Sequence, residues 1–222
     1  MGNRAPFQPI YQDEKILVVA KKDNVLTVAT KDPKTYHQNL LAYLRKDFPG
    51  SVYPVHRLDY ETSGLLIFAR DRETQNELKE CFLHRTVRRF YEAVVKERLP
   101  LHESFEVHQL LEEKPNGKVV LDPVLGKEAI TQVTTSNAIQ IGTALKIEIE
   151  TGRKNQIRMA LAAMGWTLLG DTRYGKDEPR KRMYLNAYRL SFPSTISLSC
   201  RDFSLPPLWL KEEANAGSSS LL

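Results

Sequence analysis

The chain has 222 residues, 41% of them hydrophobic, which suffices to fill the core of one large domain or two small ones. Lys and Arg number 32 against 27 Asp and Glu, and the net charge of +5 favours a polyanionic partner without naming one. Cys81 and Cys200 stand far apart, which excludes a disulfide framework and a cysteine-based zinc site, and no apolar run is long enough to span a bilayer.

Taken in order, residues 1–13 read as a flexible arm carrying Pro6 and Pro9, without the apolar h-region of a secretory signal. With two isolated cysteines, a reducing cytoplasm is the expected location. Residues 16–20 and 25–28 predict two short strands joined by a tight KKDN turn, a hairpin pattern. Tyr36, Leu40, Leu44 and Phe48 recur at i+4 and predict a helix over 35–48, stopped by Pro49-Gly50. The next stretch, YPVHRLDYETSGLLIFAR at 53–70, runs a polar turn straight into the apolar segment 65–69. Asp71 is the expected N-cap of a helix from 72 to about 83, with Leu78, Cys81 and Phe82 facing inward.

Basic residues 84–89 enter a strand over 90–95, and strands are expected at 104–110, 129–135 and 138–150. In the last of these Leu145, Ile147 and Ile149 alternate with charged residues, the mark of a half-buried strand. GKVVLDPVLG at 117–126 reads as an exposed excursion. TGRKNQIRMALAAMG at 151–165 turns into a helix with Ile157, Leu161 and Met164 inward and Gly165 at C′. LLGDTRYG at 168–175 is a loop with glycines at both ends, followed by strands at 183–192 and 196–200 and a disordered tail over 211–222. Many strands with few helices, and no clean linker or repeat, argue one α+β domain over 14–210.

Asp59 is the sharpest candidate for chemistry. A carboxylate beside Arg57 at the mouth of an apolar strand serves either as a nucleophile or base, or as a loop acceptor for backbone N–H groups. Arg57 cannot lose its proton and suits phosphate or base contacts. His56, Thr62 and Gly64 read as turn-formers, and no ligand spacing supports a metal. Tyr91 shares a strand face with Arg89, Ala93 and Val95, and is either core or a stacking platform, with Arg85, Arg88 and Arg89 at hand for backbone contacts. Arg153 and Arg158 bracket the start of a helix. Arg158 lies next to the inward Ile157, so it needs an anion, either a phosphate or a carboxylate such as Asp59.

Three blocks, HRLDYETSGLLIFAR (56–70), RRFYEAVV (88–95) and TGRKNQIRMALAAMGWTLLGDTRYG (151–175), closely resemble the RluA-type pseudouridine synthases, with EKILVVAKKDNVLTV (14–28) as a weaker fourth. The resemblance implies a mixed, largely antiparallel bent sheet with a central cleft and flanking helices, acting without cofactor or metal on ribosomal or transfer RNA. It assigns Asp59 as the catalytic aspartate and Arg57 as the residue that takes the place of the displaced nucleotide. Tyr91 becomes the tyrosine packed on the target base, and Arg158 the basic partner of the catalytic carboxylate. It also implies a stand-alone catalytic domain, without the small N-terminal RNA-binding domain of many relatives, and a monomer is expected. The sequence departs from the family at Lys22-Asp23-Asn24, where Pro-Gly is usual, and at Asn155, where histidine is common. The alternative is an inactive RNA-binding or chaperone-like domain on the same scaffold.

Overall fold

The computed structural model describes residues 5–206. In chain order the elements are β1 (Phe7–Gln12), β2 (Ile16–Lys21), a 3-10 turn (Pro33–Thr35), α1 (Leu40–Asp47), β3 (Tyr53–Pro54), β4 (Ser63–Ala69) and α2 (Arg72–Leu83). There follow β5 (Arg88–Val95), β6 (Ser104–Glu113), β7 (Val119–Leu121), β8 (Lys127–Ile139), β9 (Gly142–Ile149), α3 (Gln156–Ala163), β10 (Leu185–Ser191) and β11 (Asp202–Ser204). Where the sequence argued one domain, the chain forms two compact units, the first holding residues up to Arg88 with Arg189–Ser204, the second holding Arg89–Tyr188.

In the first unit β2 lies between β1 and β4, antiparallel to both, and β3 pairs with the far end of β4. Every residue of β4 is buried, as are Ile16, Leu17, Val18 and Val19 of β2. Their unbroken apolar runs are what strands covered on both faces require. The expected arm is corrected here: Phe7–Gln12 is an edge strand, and Phe7 packs on Phe48 with ring centroids 6.1 Å apart. Asp71 caps α2 as expected, its carboxylate accepting the N–H of Thr74 at 2.7 Å.

The predicted strand over 25–28 does not form. Asn24 takes the positive φ that the turn asked for, but the chain then spends its hydrogen bonds on a helix. The carbonyls of Leu26 and Thr27 accept the N–H groups of Leu40 and Leu41, while the Asn39 side chain accepts that of Ala42. Three amides at the helix start are thus satisfied from outside, which explains why α1 begins at Leu40 rather than at 35.

The second unit is an antiparallel sheet in the order β5-β9-β8-β6-β7. Leu145 and Ile147 of β9 are buried, as the alternation predicted, and stand opposite the buried Ala93 of β5 and Val133 of β8. The break in the predicted strand pair falls at Gln140-Ile141 rather than at 136–137, because the bulge after Thr135 keeps β8 paired further. Gly142 closes that turn where a Cβ would sit 1.9 Å from the Val95 carbonyl oxygen, so no side chain fits. The excursion at 117–126 is in part a strand: β7 pairs with β6, and Val119 is buried beside Leu111 and Ala129. Beyond it, the final strands lie at 185–191 and 202–204 instead of 183–192 and 196–200. The expected tail over 211–222 falls outside the described residues.

Candidate active site

Asp59 sits in the turn before β4, half-buried, with its carbonyl accepting the N–H of Thr62 at 3.2 Å. Its neighbours are held from the strand-less segment described above. The Thr27 hydroxyl donates to the Leu58 carbonyl at 3.0 Å and accepts the Leu58 N–H at 3.2 Å. On the other side, the Tyr60 carbonyl accepts the Val25 N–H at 3.2 Å and the Lys21 ammonium at 3.1 Å. The backbone on either side of Asp59 is therefore clamped. Precise placement of a reactive group requires such support.

Lys21 is the residue that the sequence reading missed. Only 2% exposed, its Nζ donates to the carbonyls of Lys22, Val25 and Tyr60. Burial pulls its pKa down to about 8, against the opposing pull of the Asp23, Asp59 and Glu61 carboxylates. The signal was present in the sequence as a lysine closing an otherwise apolar strand.

The other turn residues have defined places. His56 accepts the Ile67 N–H on Nε2 at 3.2 Å and stacks on Phe82 at 4.6 Å. Its ring thereby takes the place of a ladder acceptor just past β3. Thr62 is buried, and Gly64, the second residue of β4, pairs with Lys21 and has φ +119. Arg57 is exposed. Asp59, Arg57, His56, Thr62 and Gly64 all belong to the first unit, whereas Tyr91, Arg153 and Arg158 belong to the second.

Tyr91 lies on β5 opposite Ile147 and is 9% exposed. Arg85 and Arg88 are exposed, but Arg89 is not available for RNA backbone. It is buried, and its Nη2 donates to the Glu150 carbonyl at 2.7 Å, with the guanidinium against Gly152. Arg153 is exposed and its Nε donates to the Glu128 carbonyl at 2.9 Å.

Arg158, 3% exposed, has the anion its burial demands in Asp171, a residue to which the sequence gave no role. Its Nε and Nη2 reach the two carboxylate oxygens at 2.8 and 2.6 Å. Burial drives the Asp171 carboxyl upward, but the Arg158 hydrogen bonds and charge, with the N–H groups of Tyr174 and Arg173, outweigh it and hold the pKa low. The guanidinium also lies 5.1 Å from the Tyr174 ring centre. Among the described residues no cluster of His, Cys, Asp or Glu could hold a metal ion.

Comparison with known proteins agrees with the motifs. A family model described as RNA pseudouridylate synthase matches residues 15–163, and the chain belongs to that family. It is accordingly an isomerase of the RNA pseudouridine synthase class. It is similar to the dual-specificity RNA pseudouridine synthase RluA of Haemophilus influenzae, 31% identical over 204 residues, covering 86% of this chain and 91% of that protein. It is also similar to the protein of the same name from Yersinia pestis, 32% identical over 188 residues, with 82% and 89% covered. In fold it matches human RNA Pseudouridylate Synthase Domain Containing 1, with a TM-score of 0.76 at 22% identity, covering 96% of this chain and 88% of that one. The α+β class expected from the sequence is the class observed. No helix among the described residues is long and apolar enough to cross a membrane.

Proposed function

We propose that this chain isomerises uridine to pseudouridine in structured ribosomal or transfer RNA, with Asp59 as the catalytic carboxylate. The observation that carries this reading is the clamp on Leu58 and Tyr60, which holds a half-buried acid at the mouth of a wholly buried strand. A turn serving only to cap backbone groups has no need of a buried lysine and a buried threonine side chain to fix it.

The reaction breaks the bond from C1′ to N1, turns the uracil over and rejoins it through C5; the C5 proton leaves and N1 takes up a proton, so the product is an isomer. One ionised carboxylate serves the cleavage, whether it attacks C1′ or removes the C2′ proton to give a glycal, and a base takes the C5 proton after the uracil is rejoined. The target must leave its stack, at a cost of about a few kcal/mol. In this reading Tyr91 offsets part of that cost by packing on the base. Arg57, exposed in the turn, fills the place of the nucleotide, while Arg158 acts as the basic residue of the reaction. Arg153 contacts the RNA backbone. The whole acts in the cytoplasm as a monomer.

Tritium release from [5-³H]uridine-labelled rRNA and tRNA transcripts tests the reaction. Release with intact RNA strands is expected. Abasic sites would identify a glycosidic hydrolase instead, and bound RNA with full retention of label would identify an inactive RNA-binding domain.

A further inference from the structure

The loop LLGDTRYG, marked in the sequence only by its glycines, is built around Arg158. We propose that Asp171 and Tyr174 are positioning residues that fix the plane of the Arg158 guanidinium for the reaction. This deepens the reading above and rests on it, since it requires that Arg158 act in turnover.

A long arginine side chain has many rotamers, and burial alone does not choose among them. Three contacts do so here. The carboxylate of Asp171, itself wholly buried, takes Nε and Nη2 in a two-bond fork at 2.8 and 2.6 Å, which sets the plane and occupies one edge. Asn155 accepts from Nη1 at 3.4 Å, and the Tyr174 ring lies under the guanidinium carbon at 5.1 Å. With the Nε edge bound to Asp171, the direction of the Nη1–Nη2 end is fixed as well.

The two residues are themselves held. Asp171 accepts the N–H groups of Arg173 and Tyr174, both at 3.0 Å, and its own N–H donates to the Leu168 carbonyl at 3.0 Å. The Tyr174 hydroxyl accepts from Asn155 Nδ2 at 3.1 Å and from the Val119 N–H at 3.2 Å, so the ring cannot swing away from Arg158. Asn155 can reach both partners because it stands in the left-handed conformation, φ +53, just before α3. The phenol thus ties β7 and the start of α3 to one arginine. A phenylalanine would keep the ring and lose both ties.

The test is a double-mutant cycle on turnover, with thermal unfolding to confirm that each variant is folded. Asp171→Asn and Tyr174→Phe are each measured alone and in an Arg158→Gln background. Each alone should lower kcat by about tenfold or more, with KM for the RNA within about threefold of wild type. In the Arg158→Gln enzyme both should cost nothing further, because the group they aim is gone. Equal losses in both backgrounds would overturn the proposal while leaving Arg158 its role, as would an unchanged kcat in folded Tyr174→Phe. A neutral Arg158→Gln would overturn the role of Arg158 and this proposal together. Should Asp171→Asn fail to fold, Tyr174→Phe decides.

Discussion

At the residue scale, the account turns on ionisable groups placed where water does not reach. Lys21 is charged in the unfolded chain up to about pH 10.5, but burial brings its folded pKa to about 8. Below that both states hold the proton, and the cost of burying the ammonium is fully present. Between about 8 and 10.5 the unfolded state binds a proton that the folded state has lost, so stability rises with pH. Each pH unit of that interval is worth about 1.4 kcal/mol, which sets an upper bound of roughly 3 kcal/mol. The unfolding free energy of wild type relative to Lys21→Met, measured in urea from pH 7 to 11, should therefore climb across that window. A flat difference would show that Lys21 titrates as it does in water. Asp171 stands at the opposite pole, since a carboxylate paired with Arg158 stays ionised despite complete burial.

At the element scale, the segment 25–28 does the work of a strand without being one. Its carbonyls start α1 and the Thr27 hydroxyl serves both backbone groups of Leu58. Thr27→Val keeps the volume and strands two buried backbone groups, so about 1–3 kcal/mol of stability should be lost in urea unfolding. Turnover should fall with it, because the backbone next to Asp59 is released. A loss below about 0.5 kcal/mol would mean that the clamp is idle. Elements whose cause is local were legible in the sequence: Asp71 capping α2, the alternation in β9, and Gly165 ending α3. Those settled by distant partners were not. An alternating polar segment such as 7–12 becomes a strand only because β2 offers it an edge, and Val119 joins the core only because β6 and Tyr174 are there to receive it.

At the scale of the whole molecule, the motif blocks at 56–70 and 151–175 carry the family in the sequence alone, and the matching family model spans 15–163. The motifs gave types and spacing of residues, but not what holds them. Lys21 lies 38 positions from Asp59 in the chain and reaches the neighbouring Tyr60 carbonyl only through the β2–β4 pairing, while Asp171 reaches Arg158 across a helix and a loop. Neither link has a sequence spacing of its own. What the two supports share is that each holds a charged side chain in a buried place by hydrogen bonds to fixed acceptors. The central claim is that Asp59 does the chemistry to which the first of these supports is devoted. Single-turnover tritium release by purified Asp59→Asn, on RNA whose binding is measured in parallel, tests it most directly. The account predicts no release above background with affinity within about a few fold of wild type. Release at a rate near wild type would contradict it.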